Sequence, residues 1–356
     1  MFCDFNISAI FVANEKEPKI AEESKRKKVK MKTRKLGKDG YRIGEVGLGC
    51  WQFGGDFGDM REETAISILE TAVENGVNFF DTANVYGAGQ SESLIGRFLK
   101  TCATPITVAT KFGRGDDVYP DKYSEDIMRR SVEGSLKRLG IDRLDLLQLH
   151  CIPPEILRQG EVFDWLRNLK QEGLIKEFGA SVETVTEGLL CMEQDGLLSL
   201  QVIFNIFRQK LVSELLPRAK ARGVGIIVRL PLASGLLSGK FTKNTTFSKT
   251  DHRNYNRDGQ FFNVGETFAG LPFETGVQLV DRIKELLPQG ISMVQLALRW
   301  ILDHDAVSVI IPGASSPEQA RTNAAVSELP PLSAELHQVL AEMYQNSIHS
   351  QIRGPY

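Results

Sequence analysis

From Thr33 onward, short apolar runs alternate with longer stretches whose apolar positions recur every three or four residues. The short runs are VGLGC (46–50), NFFD (78–81), ITVATK (106–111), LDLLQLH (144–150), IKEFGAS (175–181), LQVIFN (200–205), VGIIVRL (224–230) and VSVIIP (307–312). Bounded by polar and glycine-containing turns, they predict strands. Between them lie segments with helical spacing, such as EETAISILETAVENG and SEDIMRRSVEGSLKRLG. The second predicts a helix that opens on Ser124 as N-cap and stops at Gly140, just after Lys137 and Arg138.

Eight strands alternating with helices predict a parallel sheet with helical crossovers. An open doubly wound sheet and a closed barrel both fit that alternation. The strand count and length favour an α/β fold of the (β/α)8 TIM barrel type. An Asp-Gly pair in TRKLGKDGYRIGEV predicts a β-hairpin ahead of the first barrel strand. The longest interruption, roughly 238–272, follows the seventh strand and reads as a lid or binding loop. SAELHQVLAEMYQ predicts a C-terminal helix packed on the barrel. Residues 31–356 are thus expected to form a single barrel domain. Residues 1–30, which lead into the basic run KRKKVKMK (25–32), read as a flexible N-terminal extension.

The net charge of −2 and pI near 6.3 argue against nucleic-acid binding. No apolar run reaches the roughly 18 residues a bilayer span needs, so no membrane segment is expected. Five scattered cysteines without a C-x-x-C pair suggest free thiols and a cytoplasmic location. The histidines show no H-E-x-x-H spacing, so no metal is expected. GLGCWQFGG fails G-x-G-x-x-G, GLLSGKF fails the phosphate-loop spacing, and no G-x-S-x-G elbow exists.

What remains is a set of polar residues at successive strand ends. Asp81 ends NFFD and Tyr86 lies in the loop beyond it. Lys111 ends ITVATK and His150 ends LDLLQLH. The C-terminal rim of a barrel is where such folds keep their chemistry. Singly, each residue has an ordinary structural meaning, as a turn, a solvated rim residue or a satisfied core group. Together they suit proton transfer to a carbonyl oxygen. An ammonium beside a tyrosine lowers a phenol pKa of roughly 10 towards a useful range, and a carboxylate holds the ammonium in place. A nearby histidine can donate to the same oxygen. Such a set needs a hydride source.

These four residues, in their strand contexts, resemble the aldo-keto reductases. The resemblance runs from about Met31 to the end of the chain. It includes VGLGCWQFGG, FFDTANVYG, PLASGLLSGKF and IPGASSPEQARTN. It implies a (β/α)8 barrel that binds a nicotinamide cofactor in extended form. Tyr86 would be the general acid or base, tuned by Lys111 and Asp81, and His150 would orient the substrate oxygen. Cofactor contacts would come from Cys50, Trp51 and Asp81, and from Ser181 and Gln201 at the carboxamide. Pro231, Leu232, Gly235 and Lys240 would cover the pyrophosphate. Gly313, Ser315, Gln319 and Asn323 would surround the adenosine phosphate.

Trp51 and Phe112 would wall the substrate pocket with Tyr86 and His150. Tyr119, Tyr123, Phe261, Phe262 and Phe268 are further candidates. The chain departs from the family pattern in three places. Val182 replaces a common asparagine, Arg229 and Leu230 replace an aromatic or small residue and a serine, and Gly313, Ser315 and Gln319 replace cations found in several relatives. Arg321 and Lys240 could substitute for those cations. NADP(H) is the expected cofactor and NAD(H) the alternative. The implied function is an NAD(P)H-dependent oxidoreductase reducing a small aldehyde or ketone, or running in reverse on the alcohol. A cofactor-binding regulatory subunit of the same fold is the alternative.

Overall fold

The structure, a computed structural model, describes residues 28–356. The expected extension lies outside the described residues for positions 1–27. An antiparallel hairpin comes first, β1 (Thr33–Lys35) against β2 (Arg42–Gly44), with Arg34 opposite Ile43. Asp39 and Gly40 lie in its connection, as the sequence predicts.

Eight parallel strands follow: β3 (Leu48–Gly49), β4 (Phe79–Asp81), β5 (Thr107–Phe112), β6 (Leu144–His150), β7 (Ile175–Ser181), β8 (Leu197–Ile203), β9 (Gly225–Arg229) and β10 (Val307–Ile310). Each pairs with the next in chain order. The ring closes where Val46 bridges Ile310 and Gly49 bridges Gly313. That seam leaves no room for side chains. A Cβ on Gly47 would lie 2.9 Å from the Phe79 carbonyl oxygen, and one on Gly49 2.7 Å from that of Ile311.

Strand alternation sorts the side chains into two cores. Phe79, Ala109, Leu146, Ile227 and Val309 point into the barrel and form one cluster with Leu36 and Ile43 of the hairpin. The hairpin is therefore the barrel's floor. Their strand neighbours Phe80, Val108, Leu147 and Ile226 face outward into the larger core beneath the helices. Above the floor the inward positions turn polar: Asp81, Lys111, Gln148, Ser181 and Gln201 are all buried.

The expected helices form over Glu62–Glu74 and Glu125–Leu139. Ser124 caps the second by accepting from the Ile127 N–H, and Gly140 ends it in the left-handed region at φ 66°. The 238–272 interruption is an ordered lid with a short helix, His252–Tyr255, and turns at Val264–Glu266 and Phe268–Gly270. The last helix spans Ala334–Met343 and buries Leu340 and Met343. No helix among the described residues is long and apolar enough to cross a membrane.

Leu36 is fully buried in the floor, so Leu36→Ala should cost about 2–5 kcal/mol of unfolding free energy, read by urea denaturation. A negligible loss would show that the hairpin does not seal the barrel.

Candidate active site

Strand parity decides which side chains can meet above the floor. Asp81, Lys111, Gln148 and Gln201 share the inward parity of the apolar floor residues and sit one level higher. Lys111 is 1% exposed. Its ammonium donates to Asp81 Oδ1 at 2.5 Å, to the Thr82 carbonyl oxygen at 2.7 Å and to Tyr86 Oη at 3.3 Å. The other oxygen of Asp81 accepts from Gln148 Nε2 at 3.0 Å and Gln201 Nε2 at 2.6 Å. Both charges are buried and both are fully partnered, which their burial requires.

Tyr86 reaches this pair from a compact loop in which Gly87, Ala88 and Gly89 all have positive φ. Gly54 permits its approach, since a Cβ there would lie 2.6 Å from the Gly87 nitrogen. The Tyr86 ring sits between two others: Trp51 stacks at 5.9 Å between centroids and His150 meets it edge to face at 6.0 Å. Asp81, Tyr86, Lys111 and His150 are thus brought together.

The electrostatics differ from expectation in one respect. Burial pushes the Tyr86 phenol up to about 12; Lys111 opposes the shift, while Asp81 and Glu266 add to it. The neighbouring ammonium therefore limits the rise instead of producing a net fall. Burial also works against the Lys111 charge, but Asp81 and Tyr86 outweigh it and hold the ammonium above its ordinary value. Burial, aided by Arg114, Lys111 and Arg229, holds His150 well below the usual imidazole range. At neutral pH Tyr86 keeps its proton, Lys111 its charge, and His150 is neutral.

A cavity of about 1050 Å³ opens from this cluster. Trp51, Tyr86, His150, Asp81 and Cys50 line it, as do Gln201, Pro231, Leu232, Gly235 and Lys240. Gly313, Ser315, Gln319 and Asn323 line the same cavity. Ser181 lies just behind the wall, near Gln201 Oε1 at 3.3 Å. Gln319 Oε1 accepts from the N–H and hydroxyl of Ser315, beside the opening of the helix Pro317–Ala325. Arg321 pairs there with Glu318 at 2.5 Å.

Among the expected wall aromatics, Tyr119, Phe261 and Phe262 line the cavity. Phe112 does not: it has the outward parity, is 1% exposed and packs on Tyr123 in the outer core. Its expected substrate role is corrected by the period-two alternation of β5. Phe268 is likewise buried, against Phe247 and Phe273. The lid is held down by Asp56, which accepts from Trp51 Nε1 and from the Tyr255 hydroxyl, each at 2.8 Å.

Sequence reasoning missed three lining residues, Arg114, Glu183 and Glu266, and saw Arg229 only as a departure from pattern. Arg229 carried a usable signal, an inward-facing charge at the end of a barrel strand.

The chain matches the family model described as "Aldo/keto reductase family" over residues 45–345. The chain belongs to the aldo/keto reductase family. Within it, the chain is 30% identical over 320 residues to the NADH-specific methylglyoxal reductase of Escherichia coli, covering 83% of this chain and 93% of that one. It is similar to the solved aldo-keto reductase of Bacillus halodurans in its holo form, with TM-score 0.73 and 27% identity, covering 91% of this chain and 100% of that one. The glycerol dehydrogenase of Gluconobacter oxydans matches with the same TM-score of 0.73 and identity of 27%, covering 91% of this chain and 97% of that one. As an aldo-keto reductase, the protein is an oxidoreductase of carbonyl and alcohol groups.

Because folded His150 resists protonation, the unfolded chain binds more protons below its ordinary pKa of about 6.5. Stability therefore falls as pH drops below that value. His150→Gln should flatten the fall between about pH 6.5 and 5 by about 1.4 kcal/mol per pH unit, read by denaturation at several pH values. An unchanged slope would mean that folded His150 titrates normally.

Proposed function

We propose that this aldo-keto reductase transfers hydride between a nicotinamide dinucleotide and a small carbonyl or alcohol substrate, with Tyr86 as general acid in reduction and general base in oxidation. The observation that carries the reading is the Tyr86 hydroxyl, protonated, 3.3 Å from a charged Lys111 and facing the cavity beside neutral His150. The cofactor supplies the hydride. As negative charge grows on the carbonyl oxygen, Tyr86 donates its proton and His150 steadies the same oxygen. The phenolate left behind is stabilised by the Lys111 ammonium, which Asp81 keeps in place. In the oxidising direction the same groups run in reverse.

The cavity's donor set suits an extended dinucleotide. Gln201 and Ser181 would hold the carboxamide end, with Cys50 and Trp51 alongside. Pro231, Leu232, Gly235 and Lys240 would cover the pyrophosphate. Gly313, Ser315, Gln319 and Asn323 would surround the adenosine end, where a helix start favours anions. NADP(H) remains the expected form, with Arg321 and Lys240 as the cations for a 2′-phosphate. Arg321 is already paired with Glu318, so the phosphate must compete with that carboxylate. NAD(H) needs no such exchange, and one relative is NADH-specific by name. The free thiols of the described cysteines fit a cytoplasmic location.

Tyr86→Phe should lower turnover of small aldehydes by about 10²–10⁴-fold while cofactor affinity stays near wild type. Unchanged turnover would remove Tyr86 from the mechanism. Fluorescence titration with NADPH and NADH should show tighter NADPH binding, reduced in Arg321→Ala; tighter NADH binding would reassign the cofactor. Tight binding of either form without turnover of any carbonyl would favour the regulatory-subunit reading.

A further inference from the structure

Gln148 takes no part in the proposed reaction, yet it is built into the polar layer around Lys111. It is fully buried, and in strand register it stands beside Lys111 of β5. Asp81 and Gln201 line the cavity, whereas Gln148 does not, which puts it out of a ligand's reach. An apolar side chain of the same size would suit the run LDLLQLH and avoid burying an amide. The glutamine therefore answers a need inside the wall.

That need is the second oxygen of Asp81. Its first, Oδ1, faces the Lys111 ammonium at 2.5 Å. Gln148 Nε2 donates to Oδ2 at 3.0 Å, and Gln148 Oε1 accepts from Gln201 Nε2 at 3.3 Å. Gln201 Nε2 also donates to Oδ2, at 2.6 Å, which closes a ring of three hydrogen bonds. The barrel leaves room for the ring: β7, between β6 and β8, puts Gly179, which has no side chain, in register with Gln148.

A carboxylate turns about a soft torsion, so the donors to one oxygen decide where the other points. The two donors here are not equivalent. Gln201 stands in the cavity wall, where the proposed cofactor carboxamide would meet it. Gln148 is sheltered from that encounter.

We propose that Gln148 is a positioning residue of this site: from behind the cavity wall it fixes the plane of the Asp81 carboxylate, and so holds the Lys111 ammonium where it stabilises a Tyr86 phenolate. The inference rests on the assignment of Tyr86 as the proton donor. Neither proton nor hydride passes through Gln148. Its removal leaves Oδ2 with a single amide donor, frees the carboxylate to turn and loosens the ammonium beside the phenol.

The test is Gln148→Met, which keeps the volume and removes both hydrogen-bonding groups. Cofactor affinity, read by fluorescence titration with NADPH and with NADH, should stay within about threefold of wild type, because no uniform binding contact is lost. The kcat for reduction of a small aldehyde should fall by on the order of 10-fold, the usual weight of one hydrogen bond to a charged group. In the oxidising direction Tyr86 acts as base, so the rate rises with pH. In Gln148→Met that rise should be displaced to higher pH by about half a unit or more, because a loosened Lys111 stabilises the phenolate less.

A role confined to folding would lower affinity and kcat together and leave the pH profile in place. Gln148→Asn, one methylene shorter and unable to reach Oδ2, should reproduce the displacement if the methionine variant does not fold. A wild-type kcat, or a pH profile that does not move, would overturn the positioning role while leaving Tyr86 as the proton donor. Retained turnover in Tyr86→Phe would instead remove the reading beneath it and overturn both.

Discussion

The buried ion pair between Lys111 and Asp81 is the constraint around which the upper barrel is organised. Two charges withdrawn from water need excellent geometry and a partner for every remaining hydrogen-bonding group. Lys111 therefore takes a backbone carbonyl and a phenol besides the carboxylate, and Asp81 takes two glutamine amides. Gln201 in turn links to Gln148 and Ser181. One ion pair thus dictates residue types on five consecutive strands and the loop that carries Tyr86.

That arrangement depends on dryness, and the dryness comes from below. The hairpin residues Leu36 and Ile43 close the floor against inward-facing strand residues. Without them, water beneath Lys111 would screen the pair. The same dryness makes the phenol reluctant to ionise. The lysine's part is thus to keep a phenolate accessible in a place where burial alone would forbid it. Neutral His150 completes the set as a group that can hydrogen-bond an oxygen without adding a second positive charge beside Lys111.

Much of this was legible in the sequence because it rests on local regularities. The strands β6 and β7 occupy the ranges their apolar runs suggest, and Ser124 and Gly140 bound their helix as capping chemistry requires. The residues at three strand ends and one loop could be grouped because barrel topology places successive strand ends on one rim. Phe112 was misplaced because adjacency in sequence was allowed to override alternation across β5. The partnership of Arg114, Glu183 and Glu266 was invisible for a different reason. It joins loops and a lid whose relative placement no short-range pattern encodes, and two of its members lie 152 positions apart.

Asp56 receives hydrogen bonds both from Trp51, which stacks on Tyr86, and from Tyr255 of the lid. A displacement of the lid that broke the Tyr255–Asp56 bond would loosen the support of Trp51 as well. Glu266 and Asn263 belong to the same segment and line the cavity. Lid and cavity wall are therefore one mechanical element: the contact that fastens Tyr255 to Asp56 also fixes the segment that carries two of the wall's side chains.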